Sequence, residues 1–162
     1  MYTQTEILDL LRPALEIEGL VFQKNQNVFA RPARPGEVIQ TQTGDGLETT
    51  NKAGENDFIV RNQTVAGEEY IVPAHKFKQK YTSLGPLDDQ WTEYESIGQI
   101  VALELTPDRV AALGLPDEFQ FIAPWGEPMT AKTGDFIGGP TNFSEVYRIA
   151  RKEFFETYKL SD

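Results

Sequence analysis

The feature that most constrains the fold is a spacing of aromatic residues that occurs twice. In residues 67–81, GEEYIVPAHKFKQKY, a Tyr precedes a Phe by seven positions and that Phe precedes a second Tyr by four. Residues 144–158, SEVYRIARKEFFETY, repeat both intervals without a gap. An Asp-Phe-Ile triplet lies thirteen residues before the first Tyr in one copy and twelve before it in the other. Matched spacing of this kind indicates an internal duplication.

The repeated pattern predicts a small sheet covered by a short helix. Each copy reads as a β-rich run, a hairpin around a Gly-containing turn (residues 43–46 and 124–127), the Asp-Phe-Ile strand and a last strand. A helix of about two turns then ends at the second Tyr. Its Phe and Tyr, four positions apart, share one helix face and can cover the sheet. We therefore expect an α+β fold with two tandem sheet-plus-helix repeats packed as a pseudodimer.

Capping signals and composition divide the chain further. Thr3 and Glu6 have the spacing of a capping box, and apolar residues at four-residue steps predict a helix over Gln4–Glu18. Thr106 followed by Pro107 predicts the start of a second, shorter helix. The predicted organisation is an N-terminal helix over 1–23, a first repeat over 24–84, a linker over 85–96 and a second repeat over 97–162.

The repeated motif resembles the small PGDYG-type proteins that are common in phage and bacterial genomes. The matching residues are Asp57-Phe58-Ile59, Gly67-Glu68-Glu69-Tyr70, Phe77 and Tyr81, then Gly134-Asp135-Phe136-Ile137, Glu145-Val146-Tyr147, Phe154 and Tyr158. Neither copy has the Pro-Gly that precedes the Asp in that family. The resemblance implies an α+β fold and a phage-like origin. It carries no catalytic residue to this chain, because the family has no assigned activity.

Composition and charge limit the partners. The net charge is −10, and it is uneven: residues 1–84 hold 9 basic and 11 acidic side chains, whereas residues 85–162 hold 6 and 14. Such an acidic surface repels phosphate backbones, so we expect no nucleic-acid partner. With no apolar run long enough for a bilayer, no signal-peptide pattern and no Cys, the sequence favours a cytoplasmic protein without a membrane partner.

The candidate ligand contacts come mainly from equivalent strands of the two copies. Asp57 and Asp135 occupy matching positions, where paired carboxylates suit acid/base work; the competing interpretation is that each caps a turn. Arg148, beside Tyr147, is a candidate anion contact, and Trp125, at a predicted hairpin tip, suits a recognition anchor. The six predicted ligand-binding residues are Asp57, Tyr70, Trp125, Asp135, Tyr147 and Arg148.

Little in the sequence indicates catalysis. His75 is the single His, and Lys152 occupies the matching position in the second copy, which argues against a duplicated active site. The acidic residues around Asp57 lack the spacing of a calcium loop, so neither a metal nor a cofactor is expected. We predict a non-catalytic module of phage or bacterial origin that binds a small molecule or a protein at the repeat junction. The alternative is a small hydrolase or transferase for a nucleotide-like substrate; monomer and homodimer stay open.

Overall fold

The structure of the chain is a computed structural model that describes residues 1–43 and 46–161, with the side chains of residues 42, 43 and 46–49 outside the description. Strand exceeds helix, at 44% against 23%, in this mixed α/β structure. The helices are α1 (Gln4–Glu18), α2 (Ala74–Lys80), α3 (Pro107–Ala112) and α4 (Arg151–Thr157). The strands are β1 (Leu20–Lys24), β2 (Val28–Pro32), β3 (Val38–Thr43), β4 (Gly46–Lys52), β5 (Asp57–Asn62), β6 (Glu69–Pro73), β7 (Tyr81–Pro86), β8 (Thr92–Ser96), β9 (Gln99–Glu104), β10 (Glu118–Ile122), β11 (Pro128–Lys132), β12 (Phe136–Pro140), β13 (Tyr147–Ile149) and β14 (Tyr158–Leu160).

Helix α1 has the bounds that the sequence predicts. The Thr3 hydroxyl accepts a hydrogen bond from the Glu6 backbone N–H at 3.1 Å, and the Glu6 carboxylate accepts one from the Thr3 N–H at 2.9 Å. The predicted capping box is thus confirmed, and these bonds lower the pKa of Glu6. The helix continues through Pro13 and buries one face. Its buried residues are Ile7, Leu11 and Leu15. None of the helices within the described ranges has the length and apolarity needed to cross a membrane.

The short helix α3 also begins as predicted. The Thr106 hydroxyl accepts a hydrogen bond from the Arg109 backbone N–H at 3.2 Å, and Pro107 is the first helical residue. Of the two hairpin turns that the sequence predicts, the first includes residues 44 and 45, which lie outside the described residues. The second joins β10 to β11, where Gly126 has a φ of +96°. That backbone conformation favours glycine over residues with a Cβ.

The chain divides into two compact units. Unit 1 contains Met1–Phe22, Gln99–Phe154 and the chain from Leu160 onward, and unit 2 contains Gln23–Gly98 and Phe155–Lys159. These units differ from the four consecutive ranges that the sequence predicts, because segments from both ends of the chain pack in unit 1. The predicted linker, residues 85–96, includes β8 and the end of β7, and it lies within unit 2.

Unit 2 is built on a five-stranded sheet with the order β6-β5-β2-β8-β7, accompanied by the β3-β4 hairpin. Helix α2 and the first residue of β7 supply Phe77 and Tyr81 to a core cluster that covers the sheet, so the Phe and the second Tyr of the first motif are buried. The other buried members of this cluster are Val28, Ala30, Val60 and Val72. A second cluster in the same unit contains Ile39, Ile59 and Trp91.

Unit 1 contains most of the sheet with the order β13-β12-β9-β1-β14, together with the β10-β11 hairpin. Its core joins α1, β9 and this hairpin. The largest fully buried side chains of that core are Phe121, Ile7, Leu11, Leu105, Met129 and Ile137. Gly19 ends α1 where a Cβ would lie 2.4 Å from the Leu15 carbonyl oxygen and 2.6 Å from Val101. Only glycine allows the chain to turn from α1 into β1 at that distance.

The two sheets share their strand registers. In unit 2 the Asp-Phe-Ile strand β5 pairs with β6 so that Ile59 faces Ile71, and in unit 1 β12 pairs with β13 so that Ile137 faces Arg148. These pairs occupy the same places in the two aligned motifs. The registers toward the central strands agree as well: Ala30 faces Val60 in one sheet, and Ala102 faces Gly138 in the other. Both motif segments form a strand and then a two-turn helix, as predicted, but each helix ends one residue before its second Tyr, which begins a further strand.

The aromatic packing on each sheet also repeats. In unit 2, the Phe58 ring stacks on Phe77 with centroids 4.2 Å apart and an interplanar angle of 5°. Tyr94 from β8 meets Phe77 edge-on at 4.8 Å and 82°. The Phe of the Asp-Phe-Ile strand therefore stacks face to face on the helix Phe, and a ring from β8 packs edge-on against that helix Phe.

Unit 1 repeats this arrangement with three phenylalanines. Phe136 stacks on Phe154 at 3.7 Å and 5°, and Phe22 from β1 meets Phe154 edge-on at 4.9 Å and 79°. Phe22 thus matches Tyr94, and β1 matches β8. In chain order, however, β1 precedes β2 and β8 precedes β9, whereas the sheet orders place β1 beside β9 and β8 beside β2. Strand β1 therefore lies in one sheet while the next strand in the chain, β2, is the central strand of the other sheet. The same holds for β8 and the strand that follows it, β9.

Trp91, in the predicted linker, is buried in unit 2 between two arginines. The guanidinium carbon of Arg61 lies 4.1 Å from the centroid of the Trp91 ring, and that of Arg31 lies 5.2 Å from the same centroid.

Glu37 accepts a hydrogen bond from the Arg31 guanidinium at 3.0 Å and another from the Arg34 backbone N–H at 3.1 Å. The bond to Arg31, followed by the backbone bond, lowers the pKa of Glu37 from 4.5 to about 2.

Glu37 should make stability depend on pH in the acid range. The pKa of Glu37 is lower in the folded than in the unfolded chain. Its ionised carboxylate therefore adds to the free energy of unfolding above about pH 4.5, and this contribution disappears as the pH falls toward 2. Melting temperatures of wild type and Glu37→Gln should therefore differ most above pH 5 and converge near pH 2. Glu16→Gln, which removes an exposed carboxylate paired with Arg12, is the control. A Glu37→Gln difference as large at pH 2 as at pH 7 would contradict this prediction.

Candidate functional site

Two of the predicted ligand contacts bind each other. Arg148 donates to Asp135 through Nε at 2.9 Å and through Nη2 at 3.3 Å, and the exposed fractions of the two side chains are 7% and 2%. The pair lies in unit 1, where the Arg148 backbone N–H also contacts the Met129 sulfur at 3.2 Å. Each charge is neutralised by the other, so this pair is suited to holding β12 and β13 in place.

The carboxylates of Asp57 and Asp135 also hold turns. Asp57 accepts a hydrogen bond from the Gly54 backbone N–H at 2.7 Å, and Asp135 accepts one from the Lys132 N–H at 3.0 Å. In both cases the donor is three residues earlier, and the residue just before the Asp has a positive φ. The turn-capping interpretation therefore describes the contacts of both residues, one in each unit.

The other predicted contacts lie apart from this pair. Tyr147 is half-buried and packs against the core of unit 1. Trp125 lies at the tip of the β10-β11 hairpin with 39% of its surface exposed. Tyr70, on β6 of unit 2, is half-buried and belongs to the polar cluster described next. His75, which the sequence excludes from the site, is exposed near the start of α2.

Lys24 is the centre of a polar cluster in unit 2. Its Nζ donates to the Tyr81 hydroxyl at 2.9 Å, to the Asn62 side-chain oxygen at 3.0 Å and to the Tyr70 hydroxyl. The Tyr70 hydroxyl in turn donates to the same Asn62 oxygen at 3.0 Å. The amine also lies 4.9 Å from the Tyr70 ring centroid and 5.3 Å from that of Tyr81. We call Lys24, Asn62, Tyr70 and Tyr81 the Lys24 cluster.

A buried carboxylate, Glu68, is hydrogen-bonded to Asn62 of the cluster. The buried Glu68 carboxylate accepts a hydrogen bond from the Asn62 side-chain nitrogen at 2.8 Å and another from the Thr64 hydroxyl. Among the described residues, no carboxylate forms an ion pair with Lys24 itself. The ammonium form is therefore surrounded by neutral oxygen atoms and two aromatic faces.

Burial changes the protonation equilibria of the cluster. Desolvation lowers the pKa of Lys24, because removing water disfavours the charged amine. Desolvation also raises the pKa of Tyr70 well above its ordinary value, and raises the pKa of Tyr81 and of the neighbouring Tyr158. Neutral phenols thus face an amine whose charged form is disfavoured. Perturbed groups of this kind concentrate at functional sites, although ordinary buried networks also contain them.

Comparison with protein families, with curated proteins and with solved structures finds no match. The site is therefore assigned from its geometry alone.

The position of Lys24 at the end of β1 has an equivalent at the end of β8. The backbone N–H after β1, from Asn25, donates to the last residue of α4, and the N–H after β8, from Ile97, donates to the last residue of α2. These equivalent bonds place Lys24 and Ser96 at matching positions. Serine provides no amine, so the matching position cannot supply the amine of this cluster.

Two other features offer less chemistry. A concavity of about 400 Å³ in unit 1 lies between the first two residues and the β10-β11 hairpin, with Glu118 the one carboxylate in its lining. It lacks the converging polar groups of a ligand site. Within the described residues, no group of three or more His, Asp or Glu side chains is placed to hold a metal ion.

The sequence pointed to Tyr70 but missed its partners. Tyr81 was assigned to core packing, and neither Asn62 nor Lys24 belongs to a repeated motif. Lys24 is 46 residues from Tyr70 in the chain, so local spacing could not connect them. The match between Lys24 and Ser96 is evident only from the strand order of the two sheets, so the sequence alone offered no signal for the amine.

Proposed function

We propose that this protein is a non-catalytic binding module, made of two tandem α+β repeats associated as a pseudodimer, that holds a small molecule at the Lys24 cluster. The observation that carries this proposal is the convergence of one amine, two phenol hydroxyls and a carboxamide beside an aromatic core. Ligand sites commonly combine a largely apolar wall with a few placed polar groups. Lys24 and Tyr70 are half-buried residues.

The alternative function, a hydrolase or transferase for a nucleotide-like substrate, has less support than the binding function. That function would use Asp57 or Asp135 as a base and Arg148 as a phosphate contact. Asp135 and Arg148 are buried against each other, and Asp57 holds a turn. The ligand site at the repeat junction, the phage or bacterial origin and the cytoplasmic location stay predictions from the sequence.

A thermal-shift screen with nucleotides and related metabolites tests the binding function. At least one compound should raise the melting temperature of the wild type, since stabilisation grows with ligand concentration relative to Kd. Lys24→Met and Tyr70→Phe should abolish that shift, because each removes a polar contact while keeping most of the side-chain volume. His75→Ala, an exposed change elsewhere in unit 2, is the matched control and should keep the shift.

Circular dichroism establishes first that the variants are folded. The proposal fails if no compound shifts the wild type, or if the shift persists in both Lys24→Met and Tyr70→Phe. A shift that disappears in His75→Ala but persists in both cluster variants would place the ligand at the start of α2 instead.

A further inference from the structure

The surroundings of Lys24 point to a particular class of ligand, an inference that rests on the proposed binding function. We infer that Lys24 binds a small aldehyde or ketone covalently and reversibly, as an imine between its Nζ and the carbonyl carbon. Lys24 is half-buried, its Nζ contacts two phenol hydroxyls directly, and the buried Glu68 carboxylate is hydrogen-bonded to the side-chain nitrogen of Asn62. These contacts suit a nucleophilic amine better than a permanently charged structural lysine.

The cluster accommodates Lys24 in both protonation states. An ammonium donates three hydrogen bonds, and three acceptors are present: the hydroxyls of Tyr70 and Tyr81 and the Asn62 oxygen. A neutral amine donates two and can accept one from either phenol, because a hydroxyl can serve as donor or acceptor. Loss of the lysine proton therefore leaves no buried polar atom of the cluster without a partner.

The reaction balances without an oxidant, a reductant or a metal. The Nζ lone pair attacks the carbonyl carbon, a phenol hydroxyl gives its proton to the carbonyl oxygen, and the amine proton replaces it on the phenol. The resulting carbinolamine loses its hydroxyl with the remaining nitrogen proton as water, which leaves the C=N bond. Carbonyl compound and amine thus give imine and one water, and hydrolysis reverses the process.

Tyr70 and Tyr81 both suit the proton-transfer role. Their hydroxyls lie 3.3 Å apart and each contacts the Lys24 nitrogen, so either can reach a carbonyl group that the nitrogen attacks. Burial keeps both phenols protonated by raising the pKa of each. The titratable groups that face Lys24 are Glu68, Tyr70, Tyr81 and Tyr158.

Reductive labelling of the full chain tests the inference. The protein is treated with limiting propanal and sodium cyanoborohydride, and peptide mass spectrometry follows each of the eight lysines. At pH 7 an ordinary lysine is only about 0.04% neutral. Lys24, whose pKa burial lowers, should therefore be labelled at least about tenfold faster than the other lysines at pH 7. Its advantage should disappear at pH 10, where the others lose their protons.

Labelling of Lys24 at or below the rate of the other lysines at pH 7 would overturn the inference. The double variant Tyr70→Phe with Tyr81→Phe, which removes both phenols, should slow Lys24 labelling at least about tenfold, in line with the loss of a general acid. Tyr94→Phe, which changes a tyrosine of the same core cluster that is no part of the Lys24 cluster, is the matched control and should leave the rate unchanged. Equal rates in wild type and the double variant would refute the proton-transfer role.

The two functional tests fail in distinguishable ways. A thermal shift that depends on Lys24, without selective labelling, would keep the binding site and eliminate the imine. Selective labelling without any Lys24-dependent shift would keep the reactive amine and eliminate the proposed metabolite ligands.

Discussion

Phe154→Ala should lower the free energy of unfolding by about 3–5 kcal/mol, the usual cost of removing a large aromatic side chain from a core. Phe154 is 2% exposed and its ring contacts two others, Phe136 face to face and Phe22 edge-on. Its removal therefore leaves a cavity bordered by two rings that are held by their own strands. Phe77→Ala should cost a similar amount, because Phe77 has the matching position against Phe58 and Tyr94.

Denaturant unfolding of the two variants measures this effect, with the slope of the transition checked for a change in the denatured state. The matched control is Phe155→Ala, since Phe155 follows Phe154 in the same helix but is 57% exposed. We expect that variant to lose less than about 1 kcal/mol, as surface substitutions do. A loss below about 1 kcal/mol for Phe154→Ala would mean that the two stacked rings do not contribute to the stability of unit 1.

Local sequence patterns predicted the elements of this fold well. Thr3 and Thr106 each accept a hydrogen bond from a backbone N–H three residues later in the chain. Because these bonds are local, the starts of α1 and α3 can be predicted from the sequence. The repeated Tyr, Phe and Tyr spacing likewise reports a strand followed by a two-turn helix. It also identified Phe77 and Phe154 as core residues, although the Tyr four positions later begins a strand in both copies and does not share the helix face.

The sequence could not predict which sheet each strand joins. Strand β1 was divided between the predicted N-terminal helix and the first repeat, and β8 was placed in a linker. Both are short, and their places depend on pairing with strands distant in the chain. The Lys24 cluster was missed for the same reason, since Lys24 ends β1 and its partners come from other strands. When the place of a strand depends on pairing with a strand distant in the chain, its own sequence contains no periodic pattern that indicates this place.

The sequence treated Asp135 and Arg148 as separate candidate ligand contacts and did not indicate that the two side chains pair with each other. Their association depends on the antiparallel register of β12 and β13, in which Arg148 faces Ile137, two residues after Asp135. The matching position in unit 2 is Ile71, which faces Ile59. An apolar residue is thus compatible with this site in one sheet, whereas the other sheet has a buried charge there.

Arg148→Ile should destabilise the protein by about 3–5 kcal/mol, because it leaves the Asp135 carboxylate buried without its charged partner. Asp135 is 2% exposed, so water cannot replace the guanidinium without local opening. The double variant Asp135→Asn with Arg148→Ile should be less destabilised than the sum of the two single changes. Asparagine keeps an oxygen for the Lys132 N–H, and isoleucine reproduces the residue found at the matching position of unit 2.

A double-mutant cycle from denaturant unfolding measures the coupling of this pair. The exposed pair of Arg12 and Glu16 on α1 is the matched control, with side chains 50% and 46% exposed, and its cycle should give a coupling below about 1 kcal/mol. If the Arg148 and Asp135 changes add without coupling, the pair does not act as a unit. The wild-type charges would then be tolerated separately in the core, and a ligand role for Arg148 would regain support.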